Sequence, residues 1–121
     1  MFDLNQTQGK HRLIDFWGTW CIPCVREMPK LKQLYEKYKR DLIIIGVAND
    51  NYQTWKAFLD KNTYTWIQLF DQEPMKLSNR LNIEVYPTKY LLDRSGHIIM
   101  IFKDSDEEAW DKIESMINIK Q

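Results

Sequence analysis

Residues 20 to 24 read W-C-I-P-C, and Cys21 and Cys24 are the only cysteines among 121 residues. Two thiols at this spacing can exchange with a disulfide, supply half of a metal site, or staple a loop. A loop so short removes little chain entropy when it closes, so a staple gains almost nothing. With 44% hydrophobic and 13% aromatic residues, the chain can build a core without one. A zinc site needs two more ligands, and His11 and His97 are the available candidates. They lack any paired spacing and no second C-x-x-C exists, so no metal is expected.

Thiol chemistry depends on where the pair sits. Residues 12 to 17, R-L-I-D-F-W, form a short apolar run before Gly18, which reads as a strand buried on both faces. Leu31, Leu34, Tyr35 and Tyr38 then recur at helical spacing, so Cys21 falls where a helix begins. Unpaired N–H groups there stabilise a thiolate and can bring a cysteine pKa from about 8.5 into a range of about 3.5 to 7.5. This makes Cys21 the expected nucleophile. Cys24, one turn on and turned inward, is placed to attack a mixed disulfide formed at Cys21. Pro23 suits the first turn because its missing N–H has no partner to lose. Ile22 brings no charge to the thiolate, so a moderately reducing pair is expected.

Two further positions read as part of the site. Asp15 is a carboxylate inside an apolar strand, six residues before Cys21. A buried acid has a raised pKa and can exchange a proton with the Cys24 thiol; the plainer alternative is an Asp at a frayed strand end, bonded to backbone. Far downstream, I-E-V-Y-P-T places Pro87 just before a strand. In the trans form it simply marks a strand start; in the cis form it exposes the Tyr86 backbone for pairing with an extended peptide.

The elements that position these residues follow the same patterns. The first helix ends near Arg40, with Pro29 expected to kink it. L-I-I-I-G-V-A over 42–48 reads as a central parallel strand. N-D-N offers caps for a helix carrying Trp55, Phe58 and Leu59. Residues 66–70 read as a third strand, and D-Q-E-P-M starts a short helix with Pro74 in its first turn and Leu77 and Leu81 facing inward. Strands over 88–92 and 97–102 join through D-R-S-G as an antiparallel hairpin. Ser105 and Glu108 form a capping box for a last helix with Trp110, Ile113 and Ile117 inside. The order β-α-β-α-β-α-β-β-α predicts a three-layer α/β/α fold with a central mixed sheet, as a single domain over residues 1–121.

Composition removes other functions. Lys plus Arg and Asp plus Glu both number 17, and no basic block suggests nucleic acid; the cluster Lys37 to Arg40 suits a solvated helix end. No apolar run approaches the ~20 residues of a membrane span, and M-F-D-L-N-Q-T-Q-G-K has no signal-peptide pattern. The expectation is a cytoplasmic chain, or one from which an export signal or anchor was removed. Nothing resembles a flavin or nicotinamide site, so no cofactor is expected beyond the dithiol itself.

D-F-W-G-T-W-C-I-P-C, Y-P-T before a hairpin and the order of elements resemble the thioredoxin superfamily across nearly the whole chain. G-T-W-C-I-P-C followed by V-R-E-M-P looks closer still to the TlpA-like and ResA-like envelope thiol-disulfide oxidoreductases. The resemblance implies that Cys21 attacks and Cys24 resolves, that the two form a redox-active disulfide, and that Trp20 flanks the site. It also implies that Pro87 is cis opposite the cysteines and that Asp15 is the buried acid. With Ile22, Pro23 and Tyr86, the residues Trp20 and Pro87 are the expected substrate contacts. Protein thiols or disulfides as substrates, an upstream redox protein as electron donor, a periplasmic or other extracytoplasmic location and a monomeric chain complete this expectation. Three departures accompany it. L-I-I-I-G-V-A lacks the lysine that thioredoxin places near its buried acid, N-D-N-Y offers only Asp50 where the ResA-like branch carries a glutamate, and the N-terminal hairpin of that branch is missing.

Two rivals on the same fold are distinguishable. A peroxidase needs Thr or Ser three residues before its cysteine and a proline further upstream, where this chain has Gly18 and Ile14. A redox-inert module would keep C-x-x-C without chemistry and dock peptides on the Tyr86 surface. Its apparent support, the aromatic content, is better assigned to core at Trp17, Trp55 and Trp110.

Overall fold

A computed structural model describes residues 9–72, 76–103 and 106–118. The order of elements is β1 (His11–Trp17), α1 (Ile22–Arg26), α2 (Met28–Tyr38), β2 (Leu42–Ala48), α3 (Tyr52–Lys61), β3 (Ile67–Phe70), α4 (Leu77–Arg80), β4 (Thr88–Leu92), β5 (Ile98–Phe102) and α5 (Glu107–Ile117). The strands form one mixed sheet in the order β3-β2-β1-β4-β5. β1 and β2 are parallel, as are β2 and β3, while β4 runs antiparallel to both β1 and β5. With a strand on each side and helices above, β1 is buried at all seven positions, which is why its sequence is nearly continuous apolar.

Alternation along β1 divides the core. Leu13 and Trp17 pack under the helices, against Met28, Leu31 and Leu34 of α2, Trp55 of α3, and Trp110, Ile113 and Ile117 of α5. Ile14 and Phe16 face the other way, with Ile45, Val47 and Leu92, where Leu77 of α4 and Ile83 cover them. Each fully buried large apolar side chain contributes about 1.5–3 kcal/mol, so the layer beneath α1 is held firmly. Trp17, Trp55 and Trp110 are core, as their spacing predicts.

Three local readings change. The kink expected at Pro29 is a full break: α1 ends, Glu27 adopts φ −89° and ψ −2°, and Pro29 sits in the first turn of α2. A proline there has no N–H for the carbonyl of Val25, and its ring crowds that carbonyl. Leu81 does not face inward; it lies past the single turn of α4 and is 37% exposed, leaving Leu77 as the helix's apolar contact to that face, beside Ile83. The last helix is capped by Asp106, whose carboxylate accepts the Ala109 N–H at 2.9 Å. Ser105 and Pro74 lie outside the described residues. The hairpin turn is as expected: Asp93 accepts the N–H groups of Ser95 and His97, and Gly96 takes a left-handed φ of +92°.

Candidate active site

The cysteines occupy the junction between β1 and α1. Their sulfurs are bonded, with Cα atoms 5.2 Å apart. Cys21 is the N-cap of α1, and its Sγ accepts the Cys24 N–H at 3.2 Å. Pro23 lies in the first turn, where Cys24 is completely enclosed and Cys21 keeps a small accessible edge. A sulfur held against the free N–H groups of a helix start is stabilised as thiolate once the disulfide opens.

Two loops frame this pair. In the first, Thr19 donates both its backbone N–H and its hydroxyl to Asp50 Oδ2, each at 2.6 Å. Trp20 is 56% exposed, yet its indole N–H donates to the Asn49 carbonyl at 2.7 Å. In the second, the Tyr86–Pro87 peptide bond is cis. The Tyr86 ring meets Trp20 edge-on at 5.1 Å between centroids, and its hydroxyl accepts from the Asn49 side-chain amide at 3.1 Å. Ile22 is exposed beside them, Pro23 is exposed, and Pro87 is buried.

Beneath the cysteines lies a charge cluster. Asp15 and Lys89 are paired across β1 and β4, so both side chains project to the helix-covered face. Neither has measurable exposure; Lys89 Nζ lies 3.5 Å from Asp15 Oδ1 and also bonds Glu27 Oε1. The lysine further sits 5.5 Å from the centre of the Trp110 ring. Burial pushes the Asp15 carboxyl above its ordinary range, and the Lys89 ammonium opposes that rise. A cleft of about 350 Å³ opens above the cluster between Pro23 and Pro87, with Glu27 and Trp110 in its walls and Arg26 and Lys30 at its rim.

Lys89 and Glu27 are the residues that sequence reasoning missed. The lysine absent from β2 is supplied by β4 instead, across an antiparallel register that no local pattern discloses. Asp50 belongs to the site as the anchor of Thr19. The histidines do not: His11 begins β1 and His97 follows the β4–β5 turn, both at the end of the sheet away from Cys21, roughly 20 Å of strand distant. Among the described residues no group of three or more His, Cys, Asp or Glu side chains is arranged to hold a metal ion.

A sheet of this order, with the helix after β1 opening on a C-x-x-C pair, is wired as a thioredoxin fold. The Thioredoxin-like family model matches residues 9–98, and the chain belongs to that family. The Thioredoxin-like protein YneN of Bacillus subtilis is 34% identical over 99 residues, covering 78% of this chain and 57% of that protein. The thiol-disulfide oxidoreductase ResA of Geobacillus kaustophilus is 33% identical over 101 residues, covering 81% and 57% respectively. The chain therefore spans a little over half the length of these relatives. Among solved structures, the thioredoxin domain of a thiol-disulfide oxidoreductase from Bacteroides vulgatus superposes with a TM-score of 0.83 at 27% identity, covering 95% of this chain and 84% of that one.

Proposed function

We propose that this domain is a thiol-disulfide oxidoreductase acting on protein disulfides. The Cys21 thiolate attacks one sulfur of the substrate disulfide, forming a mixed disulfide and releasing the first substrate thiolate. Cys24 gives up its proton and attacks Cys21 Sγ, which releases the second substrate thiolate and leaves Cys21 bonded to Cys24. Two electrons pass from the dithiol to the substrate. An upstream redox protein returns them, and no cofactor takes part.

The observation that carries this reading is the asymmetry of the pair: Cys21 caps the helix and keeps 4% of its surface accessible, while Cys24 is completely enclosed. The first can meet a substrate and the second can meet only the first. Asp15, whose carboxyl burial raises above its ordinary range, is suited to take the Cys24 proton. Trp20, Ile22 and Pro23 flank the cysteines in the chain, Tyr86 packs on Trp20 and Pro87 lines a cleft with Pro23; together they would hold the substrate strand, with the Tyr86 backbone pairing to it. A location in the cell envelope and a monomeric state belong to the same reading and rest on the resemblance to the envelope branch. No helix among the described residues is long and apolar enough to cross a membrane.

Insulin reduction with dithiothreitol as electron source tests the assignment. A Cys21→Ser protein is expected to lose all activity, and a Cys24→Ser protein to accumulate a mixed disulfide at Cys21. Retained turnover by Cys21→Ser would refute the role of Cys21, and a parent protein no faster than dithiothreitol alone would leave a peptide-binding module as the better description.

A further inference from the structure

Asn49 directly follows β2, and its N–H, its carbonyl and its side-chain NH2 each have a separate partner. Its N–H donates to the Trp17 carbonyl at 2.9 Å, adding one rung to the β1–β2 ladder. Its carbonyl, fixed by that rung, receives the Trp20 indole N–H. Its side-chain amide donates to the Tyr86 hydroxyl, and Tyr86 closes the circuit by packing edge-on against Trp20. Gly18 is part of the same construction, because a Cβ there would stand 2.2 Å from the Trp20 indole nitrogen. The indole therefore folds back over bare backbone and stays there, although more than half of its surface is open to solvent.

We propose that Asn49 is a positioning residue for disulfide exchange: its amide locks Tyr86 against Trp20, so that a substrate polypeptide meets a pre-formed aromatic wall beside Cys21 and Pro87. The inference rests on the oxidoreductase reading above and adds the device that prepares its docking surface. An exposed aromatic side chain normally loses rotational freedom when a partner binds, which weakens binding. Here the loss has been taken during folding. The three residues come from three separate loops, and among the described residues Asn49 is the one hydrogen-bonded to both of the others.

The test measures turnover of insulin, with dithiothreitol supplying the two electrons, in the parent protein, Asn49→Ala, Tyr86→Phe and the double variant. Asn49→Ala removes only the amide link, since the carbonyl that holds Trp20 remains. The expected result is a two- to tenfold rise in KM, about the worth of one neutral hydrogen bond, with kcat moving less than twofold. Tyr86→Phe, which keeps the ring and loses the hydroxyl, is expected to match it, and the double variant to be no worse than either single one. The Trp20 indole N–H signal in an NMR spectrum is expected to shift or broaden in each variant. An unchanged KM in folded, active variants, or a double variant whose effect is the product of the singles, overturns the inference alone. An inactive parent protein overturns the oxidoreductase reading and this inference with it. If Asn49→Ala does not fold, Tyr86→Phe carries the same KM comparison.

Discussion

Replacing Lys89 by Met keeps the length of the buried stem and its packing near Trp110, and removes the ammonium that Asp15 and Glu27 share. Both Asp15 and Lys89 are fully enclosed, so water cannot substitute for the lost charge. Removing one partner of a buried ion pair typically costs about 3–5 kcal/mol, because the remaining charge is left unpaired. Asp15 can reduce that cost by taking a proton, and its carboxyl is already displaced upward by burial. The lower end, about 3 kcal/mol at pH 7, is therefore expected. The loss also depends on pH. Without the cation that opposes the rise, Asp15 in the variant holds its proton to higher pH than in the parent. Below the ordinary value of 3.8 the carboxyl is protonated in every state and the deficit shrinks; it grows as pH rises through the parent's folded value. Removing both charges with Asp15→Asn and Lys89→Met should restore most of the stability, with a coupling of about 1–3 kcal/mol. Urea unfolding of the disulfide form at pH 4 and pH 7 measures all three quantities. A deficit under about 0.5 kcal/mol, a deficit independent of pH, or additive single effects would refute the view that these charges form one unit.

Asp15→Asn alone should stabilise the protein at pH 7, because burial, the largest influence on the carboxyl, disfavours its charged form and Lys89 keeps Glu27 as a partner. The same variant should slow the reaction of the reduced protein with insulin, and unchanged kinetics would remove Asp15 from the proton transfer. His11 carries a second pH effect: burial, with Arg94 adding to it, pushes its pKa below the ordinary 6.5, and neither ring nitrogen has a hydrogen-bond partner among the described residues. The unfolded chain then binds the proton more readily, so stability is complete above about pH 6.5 and falls as pH drops through the lower folded value. His11→Gln should flatten the unfolding midpoint between pH 5 and 7, and a parent-like slope would contradict this.

Most of the framework could be read from the chain because it is local. L-I-I-I-G-V-A and R-L-I-D-F-W are apolar for as long as a buried parallel strand requires, and the observed strands end within a residue of those runs. The dithiol was legible for a similar reason, since strand, glycine and helix follow one another without interruption. The charge cluster was not. Lys89 in Y-P-T-K-Y-L-L looks like an ordinary polar alternate, and only the antiparallel register with β1 brings it opposite Asp15. Glu27 in V-R-E-M-P reads as a surface charge on a continuous helix, and only the break before Pro29 turns it towards Lys89. In N-D-N the caps were expected, yet Asn51 alone caps α3, through the Thr54 N–H. Three capping residues stood where one was needed, and the surplus was the available signal for Asn49 and Asp50.

The assembly of the site follows from strand direction. β1 and β2 are parallel, so the cysteine loop and N-D-N leave the sheet at the same end. β4 is antiparallel to β1, so its first residue, Thr88, pairs with Phe16 and brings Tyr86 and Pro87 to that end as well. Neighbouring strands lie about 4.8 Å apart, which places side chains from three loops within one hydrogen bond of each other without any long connection. Asp15 and Lys89 sit one pair further into the sheet, opposite each other on the face that α1 covers. The same register that aligns the aromatic wall above the disulfide therefore also aligns the charges beneath it. A slip of one residue between β1 and β4 would turn Lys89 to the opposite face and carry Tyr86 away from Asn49 together. The proposed docking surface and the proposed proton acceptor thus depend on a single pairing, and the fully buried ion pair across it is well placed to disfavour that slip.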